Sequence, residues 1–146
     1  MRDAYGGVVN LAMIVVFLVL VSGYLAFNVN YTKAFRVKNY IITSLEQYEG
    51  NCDTGSECQK KILEYINQVG YNAPNFSLDG FKCSHGYCYK EYEAKNSSEG
   101  VDEHQRQSYY RVVTQINIDI PIINNIMPGL KIFQIAGDTK LITHFE

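Results

Sequence analysis

The chain has no tryptophan, three prolines and three histidines in 146 residues, and its charges nearly cancel, leaving a net −2. That balance argues against a nucleic-acid-binding surface, which would need a basic excess. The histidines, His85, His104 and His144, stand apart from one another and from any motif partner, so they read as solvated side chains. Glu91, Glu93, Glu99, Asp102 and Glu103 read as a solvated acidic run. There is no glycine-rich phosphate loop, nucleophile elbow or HExxH pair. The expectation is a chain that is not an enzyme and uses no cofactor.

Charge is also missing from one long stretch. From Ala4 to Thr32 there is no charged residue, and Leu11 to Val21 reads LAMIVVFLVLV. A bilayer core of ~30 Å needs about 20 apolar residues in a helix, and Val8 to Phe27 supplies them. The β-branched residues in it are weak helix formers in water. In lipid the backbone must satisfy its own polar groups, so a helix forms. A cleaved secretory signal is the rival reading. It calls for a basic head, a shorter apolar run and a small-x-small cleavage site. Here the head is MRDAYGG, with Arg2 offset by Asp3, and SGYLAFNVN offers no clean site. A retained anchor is therefore expected.

Two signals disagree on orientation. Arg2 precedes the span and Lys33, Arg36 and Lys38 follow it, which by positive-inside counting puts the C-terminal part in the cytoplasm. All four cysteines lie in that same part, and disulfides persist outside the cytoplasm. The expectation taken is a single-pass protein of the cell membrane or cell surface with its C-terminal domain outside.

Nothing marks the end of the helix at the membrane surface. Asn28 to Glu49 contains neither Pro nor Gly, and Tyr31, Ala34, Phe35, Ile41, Ile42, Leu45 and Tyr48 recur at helical spacing, interrupted by Lys38. Gly50 is the natural stop. One helix over Val8 to Tyr48 is expected, in lipid over its first half and packed on a soluble domain over its second. Small residues would let helices approach closely, although ordinary scatter in a membrane helix looks the same. Gly23 and Ala26, with the polar Asn10, are the candidate helix-packing positions.

Beyond Gly50, Ser56-Glu57-Cys58-Gln59 has a capping-box pattern. Cys58, Ile62, Tyr65, Ile66 and Val69 make one helical face before Gly70. Strand signals follow. Phe81 to Ser84 and Tyr87 to Ala94 flank His85-Gly86, a two-residue hairpin turn. Lys95 to His104 reads as an exposed loop. From Tyr109 to Ile120 residues alternate, with Tyr110, Val112, Thr114, Ile116, Ile118 and Ile120 on one face and a wet face opposite, Val113 excepted. Pro121 and Pro128-Gly129 lead to a last strand over about Leu130 to Ile142. The fold class is α+β, with a long N-terminal transmembrane helix continuing into a small domain, and a second short helix packed on an antiparallel sheet of about four strands. The organisation is a head over 1–7, a membrane helix over 8–28, its continuation over 29–49 and a disulfide-containing domain over 51–146.

The cysteines are Cys52, Cys58, Cys83 and Cys88. A turn at His85-Gly86 sets Cys83 opposite Cys88, near disulfide range. Cys52 and Cys58 would clip the entry to the second helix. Pairing 52–58 with 83–88 is the expectation, and crossed pairings tying helix to hairpin stay open. A zinc site would more often use shorter cysteine spacings.

Both ends of the chain carry a further pattern. A short polar head and the pair Gly6-Gly7 lead directly into VVNLAMIVVFLVLVSGYLAF, which runs on as NVNYTKAFRVKNYIITSLEQY. The C-terminal half, YRVVTQINIDIPIINNIMPGLKIFQIAGDTKLI, has Pro121 and Pro128 between strands, then Gly137 and Thr139. These features resemble the pilin-like subunits of tight-adherence (Tad/Flp) pilus systems, especially the TadE-like minor pilins. The resemblance implies a pilin-like fold and a candidate leader cut after Gly6 or Gly7. It also implies partners in the membrane and in other pilin-like subunits, or self, through the N-terminal helix. The cysteine-bearing middle lies outside it. Pilin-like helices usually carry an early Glu, whose carboxylate can pair with a neighbouring subunit's new amine. The first polar residue inside the segment here is the uncharged Asn10, which suits a minor or accessory subunit. The alternative is a membrane-tethered binding or sensory module using Tyr87, Tyr89 and Tyr92 as a recognition face, with its surface ligand unknown. Core packing is the favoured reading of those tyrosines.

Overall fold

The computed structural model describes residues 2–94, 105–117 and 132–145. Two helices, α1 (Arg2–Gln47) and α2 (Glu57–Val69), precede the strands β1 (Lys82–Ser84), β2 (Tyr87–Glu93), β3 (Gln105–Asn117), β4 (Ile132–Asp138) and β5 (Ile142–Phe145). The long helix and the short helix lie on one antiparallel sheet, as expected. The loop over 95–104, the positions Ile118 and Ile120, and the turns at Pro121 and Pro128-Gly129 fall outside the described residues.

Helix α1 starts at Arg2 rather than Val8. Nothing in the head breaks a helix, since two glycines cost only about 1 kcal/mol each. Over its second half α1 buries Ala34, Val37, Ile41 and Leu45 completely, a 3-4-4 spacing that keeps one face on the sheet. The expected stripe was wider. Tyr31 and Phe35 are exposed, whereas Val37 and Lys38 are buried. A single sheet covers one line of a helix, and Lys38 flanks that line. Its methylenes lie against Gly137, where an added Cβ would come 3.1 Å from Cδ and Cε. Its ammonium emerges 4.4 Å from the centre of the Phe35 ring, so the stem is buried and the charge is not. Glu49 and Gly50 end the helix with positive φ of 49° and 81°.

The capping box at α2 is partly rearranged. Ser56 Oγ accepts from Gln59 N at 3.2 Å, but the Gln59 side chain accepts from Gly55 N, because Ser56 N is already bonded to Asp53 O. Gly70 closes α2 in the left-handed region, and Tyr71 N donates to Ile66 O. Cys58, Ile62 and Ile66 face the core, and Tyr65 stacks on Tyr40 of α1 with ring centres 4.0 Å apart.

Strand order is β1-β2-β3-β4, with β5 also pairing β3. His85 and Gly86 both have positive φ, the type I′ geometry that matches strand twist. The inner face carries Tyr87 and Tyr89 of β2 and Tyr110, Val112, Thr114 and Ile116 of β3, all buried. Thr114 Oγ1 donates to the Ala34 carbonyl, fixing sheet to helix. The outer face of β3 is drier than expected, since Val113 and Gln115 are also buried. The chain after α2 runs over this face, with Ala73 against Gly86 and the Phe76 carbonyl 3.7 Å from Cys88 Sγ. Strand β3 begins at Gln105, four residues before the expected Tyr109, because its polar start pairs with β5.

The expected last strand is broken in two. Arg111 pairs with Asp138 and Ser108 with Ile142, so Tyr109 and Tyr110 oppose Thr139, Lys140 and Leu141. This one-residue excess is a β-bulge. Bulges strand backbone groups, and here two side chains and one backbone bond recover them. Thr139 Oγ1 accepts from Tyr110 N at 2.9 Å, Thr139 N donates to Tyr110 O, and Lys140 N donates to Glu46 Oε1 of α1. β4 and β5 therefore share one strand position, and among the described residues the sheet has four positions. Thr139→Val keeps the shape and removes the acceptor for a buried amide. It is expected to cost about 1–3 kcal/mol, read as a lower urea midpoint at unchanged slope.

Candidate functional site

The first half of α1 differs from a core helix in one decisive way. Val8, Leu11, Met13, Phe17, Leu20 and Tyr24, on all sides of the helix, are each at least 65% exposed, and the most apolar window is only 6% buried with mean hydropathy 2.5. A helix apolar all round and packed on nothing is one that lipid solvates. Among the described residues α1 is the one helix long and apolar enough to cross a membrane, which fits a single-pass anchor carrying a small α+β domain. Along the first half of α1, Gly6, Gly7 and Asn10 are exposed, Gly23 is buried and Ala26 is half-buried.

The anchor joins the domain through the seam of α1 with β3 and β4. Phe27, near the membrane end, meets Phe133 edge-on at 6.3 Å. Further along, Gly137 admits Ile42 and Lys38, and an added Cβ would approach Ile42 Cδ1 to 3.0 Å. Gly137 and Thr139, carried by the C-terminal resemblance, are thus the residues that let the helix sit close and keep the bulge satisfied.

The cysteines pair as 52–58 and 83–88, with Cα separations of 5.0 and 4.0 Å; no cysteine is free. The crossed pairings do not occur. The first disulfide is tied to the hairpin by Tyr89, whose hydroxyl donates to the Cys52 carbonyl, and by the Lys82–Asp53 ion pair. Among the described residues no three His, Cys, Asp or Glu side chains gather as a metal site. His85 is exposed in the turn. Tyr87 and Tyr89 are core residues, and Tyr92 stacks on Tyr109 at 5.4 Å, as the packing reading of the hairpin tyrosines expects.

Tyr71 escaped the sequence reading. It is buried, its hydroxyl lies 2.7 Å from the carbonyls of Gly86 and Gln115, and it accepts from Gln115 N. This one oxygen joins the end of α2, the hairpin turn and the central strand. The signal was present, since an apolar residue just after a left-handed helix-ending glycine commonly packs back on the structure. Burial pushes the Tyr71 and Tyr87 phenols up to about 12. In the unfolded chain they ionise near 10. Between those values the unfolded state has lost its protons and the folded state has kept them, so stability is full below pH ~10 and falls as pH rises toward ~12. A loss of about 2 kcal/mol per tyrosine is expected at the upper end, measured by urea unfolding across that range. Tyr71→Phe should flatten part of the slope.

The geometry therefore offers a lipid-facing helix, a close helix–sheet seam and a doubly disulfide-tied head. Comparison of the chain with protein-family models, curated proteins and solved structures finds no match.

Proposed function

We propose that this chain is a non-enzymatic, pilin-like structural or accessory subunit, held by α1 in the membrane with its disulfide-tied domain outside the cytoplasm, and assembled into or onto a surface filament through that helix. The observation that carries the reading is the unbroken run of α1 from a fully apolar, unpacked half into a half packed along an antiparallel sheet. That is the architecture in which one helix serves both as anchor and as the spine of a subunit. Two disulfides support the outside location, because such bonds persist in oxidising compartments. Asn10 in place of an acid supports an accessory rather than a major role. The inward packing of Tyr87 and Tyr89 and the stacking of Tyr92 on Tyr109 support this reading over a tethered binding module with a tyrosine recognition face.

The test is mass spectrometry of the native protein from intact cells, without reductant, after labelling with a membrane-impermeant maleimide. A mass lacking MRDAYG or MRDAYGG, with no label, is the expected result. A full-length mass with oxidised cysteines would keep the outside domain and make α1 a permanent anchor. Thiols labelled only after lysis would put the domain in the cytoplasm and end the pilin reading.

A further inference from the structure

A cleft of about 690 Å³ opens between α1 and the end of α2, lined by Leu25, Val29, Lys33 and Arg36 from α1 and by Tyr65 and Val69 from α2. Its position relative to the bilayer is informative. If Val8 to Phe27 fills the ~30 Å hydrocarbon layer, Lys33 and Arg36 stand roughly 9 and 14 Å above its edge. Helical side chains lean toward the N-terminus, which here is toward the membrane. Lys33 therefore stands at the upper edge of the headgroup layer, ~5–8 Å thick, and Arg36 stands about one turn above it, with a side chain long enough to lean back toward that layer. Lys33 is held at the cleft by its bond to the Gly70 carbonyl at 3.2 Å, and Arg36 is exposed. Among the described residues, no carboxylate lines the cleft, so its charge is unbalanced in favour of an anion.

The lower end is apolar and continuous with the anchor. Leu18, Val21, Leu25 and Val29 follow at spacings of three and four and are all exposed, so they share one face of α1. From Val29 to Leu18 the helix descends about 16 Å, the depth of one leaflet's hydrocarbon. A site with two cations at and just above the headgroup layer and an apolar stripe one leaflet deep matches a lipid better than a soluble anion or a peptide.

We propose that this cleft binds one anionic phospholipid from the leaflet beneath the domain, its phosphate between Lys33 and Arg36 and one acyl chain along Leu25, Val21 and Leu18. The proposal rests on the membrane anchoring of α1 and is independent of the filament reading. Each basic group at an anionic surface is worth about a fivefold change in occupancy.

The experiment is native mass spectrometry of the full chain in detergent, supplied with equal amounts of phosphatidylglycerol and phosphatidylcholine of the same acyl chains. Flotation with neutral vesicles first establishes that the chain is anchored, and failure there would sink the anchor itself. One retained phosphatidylglycerol is expected. Arg36→Gln should lower its retention about fivefold and Lys33→Gln with Arg36→Gln about twentyfold or more, while Lys60→Gln, on the exposed side of α2, changes nothing. Arg36 is exposed, so its single variant tests the site without threatening the fold. Equal retention of the two lipids, retention untouched by the double variant, displacement by inorganic phosphate alone, or a lipid-free dimer closing the cleft would each overturn the proposal.

Discussion

Reduction of both disulfides is expected to cost the domain about 4 kcal/mol. The bonds close short loops, with sequence separations of 6 and 5, and loop-closure entropy gives each about 2 kcal/mol. That is a large share of the 5–15 kcal/mol by which domains of this size are stable. The two contributions should differ in what they hold. Cys83 and Cys88 face each other across a hairpin already fixed by its turn and by β3. Cys52 and Cys58 hold a loop that reaches the rest of the domain through the Tyr89 hydroxyl and the Lys82–Asp53 pair. Replacing Cys52 and Cys58 by serine should therefore loosen more of the structure than replacing Cys83 and Cys88. Urea unfolding of the full chain in detergent, with and without reductant, reads the effect. An unchanged midpoint would show that the two bonds contribute nothing to the stability of the domain.

Gly50→Ala is expected to cost about 3 kcal/mol. Gly50 has φ +81°, and a Cβ there would fall onto the hydroxyl end of the Tyr110 ring. The left-handed backbone costs an alanine roughly 1–2 kcal/mol, and overpacking a fixed neighbour adds about 1–3 kcal/mol. Tyr110 cannot move cheaply. It is buried, and its amide is bonded to Thr139 across the bulge. Gly55 separates the two contributions, because it has φ +90° with nothing within 4 Å of an added Cβ. Gly55→Ala should show the backbone cost alone. Equal effects at the two positions would mean that Tyr110 moves aside freely.

The parts of the fold legible in the sequence are those specified locally. The capping serine and closing glycine of α2, the His85-Gly86 turn and the apolar alternation of Tyr110 to Ile116 each act within a few residues. The 83–88 disulfide follows from the turn, since turn length fixes which residues oppose each other. What stayed hidden depends on partners distant in the chain. Lys38 looks like a break in an apolar stripe until Gly137 supplies the space for its stem. The bulge at Thr139 is invisible because its cost is met by a strand and by Glu46, 94 residues away from Lys140. The early start of β3 is equally silent, because strand pairing with β5 uses backbone groups that QRQS has in common with any sequence. At the candidate site, the anchor was legible from hydropathy alone, whereas the cleft beside it required α2 to be placed against α1.

Helix α1 continues without interruption from Arg2 to Gln47, about 69 Å of rod. Its far end is keyed to the sheet at three heights, by Phe27 on Phe133, Ala34 on Thr114 and Glu46 on Lys140. A rod keyed in this way carries torsion. Successive residues point 100° apart around it, so whichever side of the anchor a neighbouring helix selects in the lipid fixes the compass bearing of the hairpin and both disulfides. A one-residue insertion between Phe27 and Ala34 would turn the domain by that angle relative to the anchor, at the loss of the Phe27–Phe133 contact, while leaving the composition of the anchor unchanged.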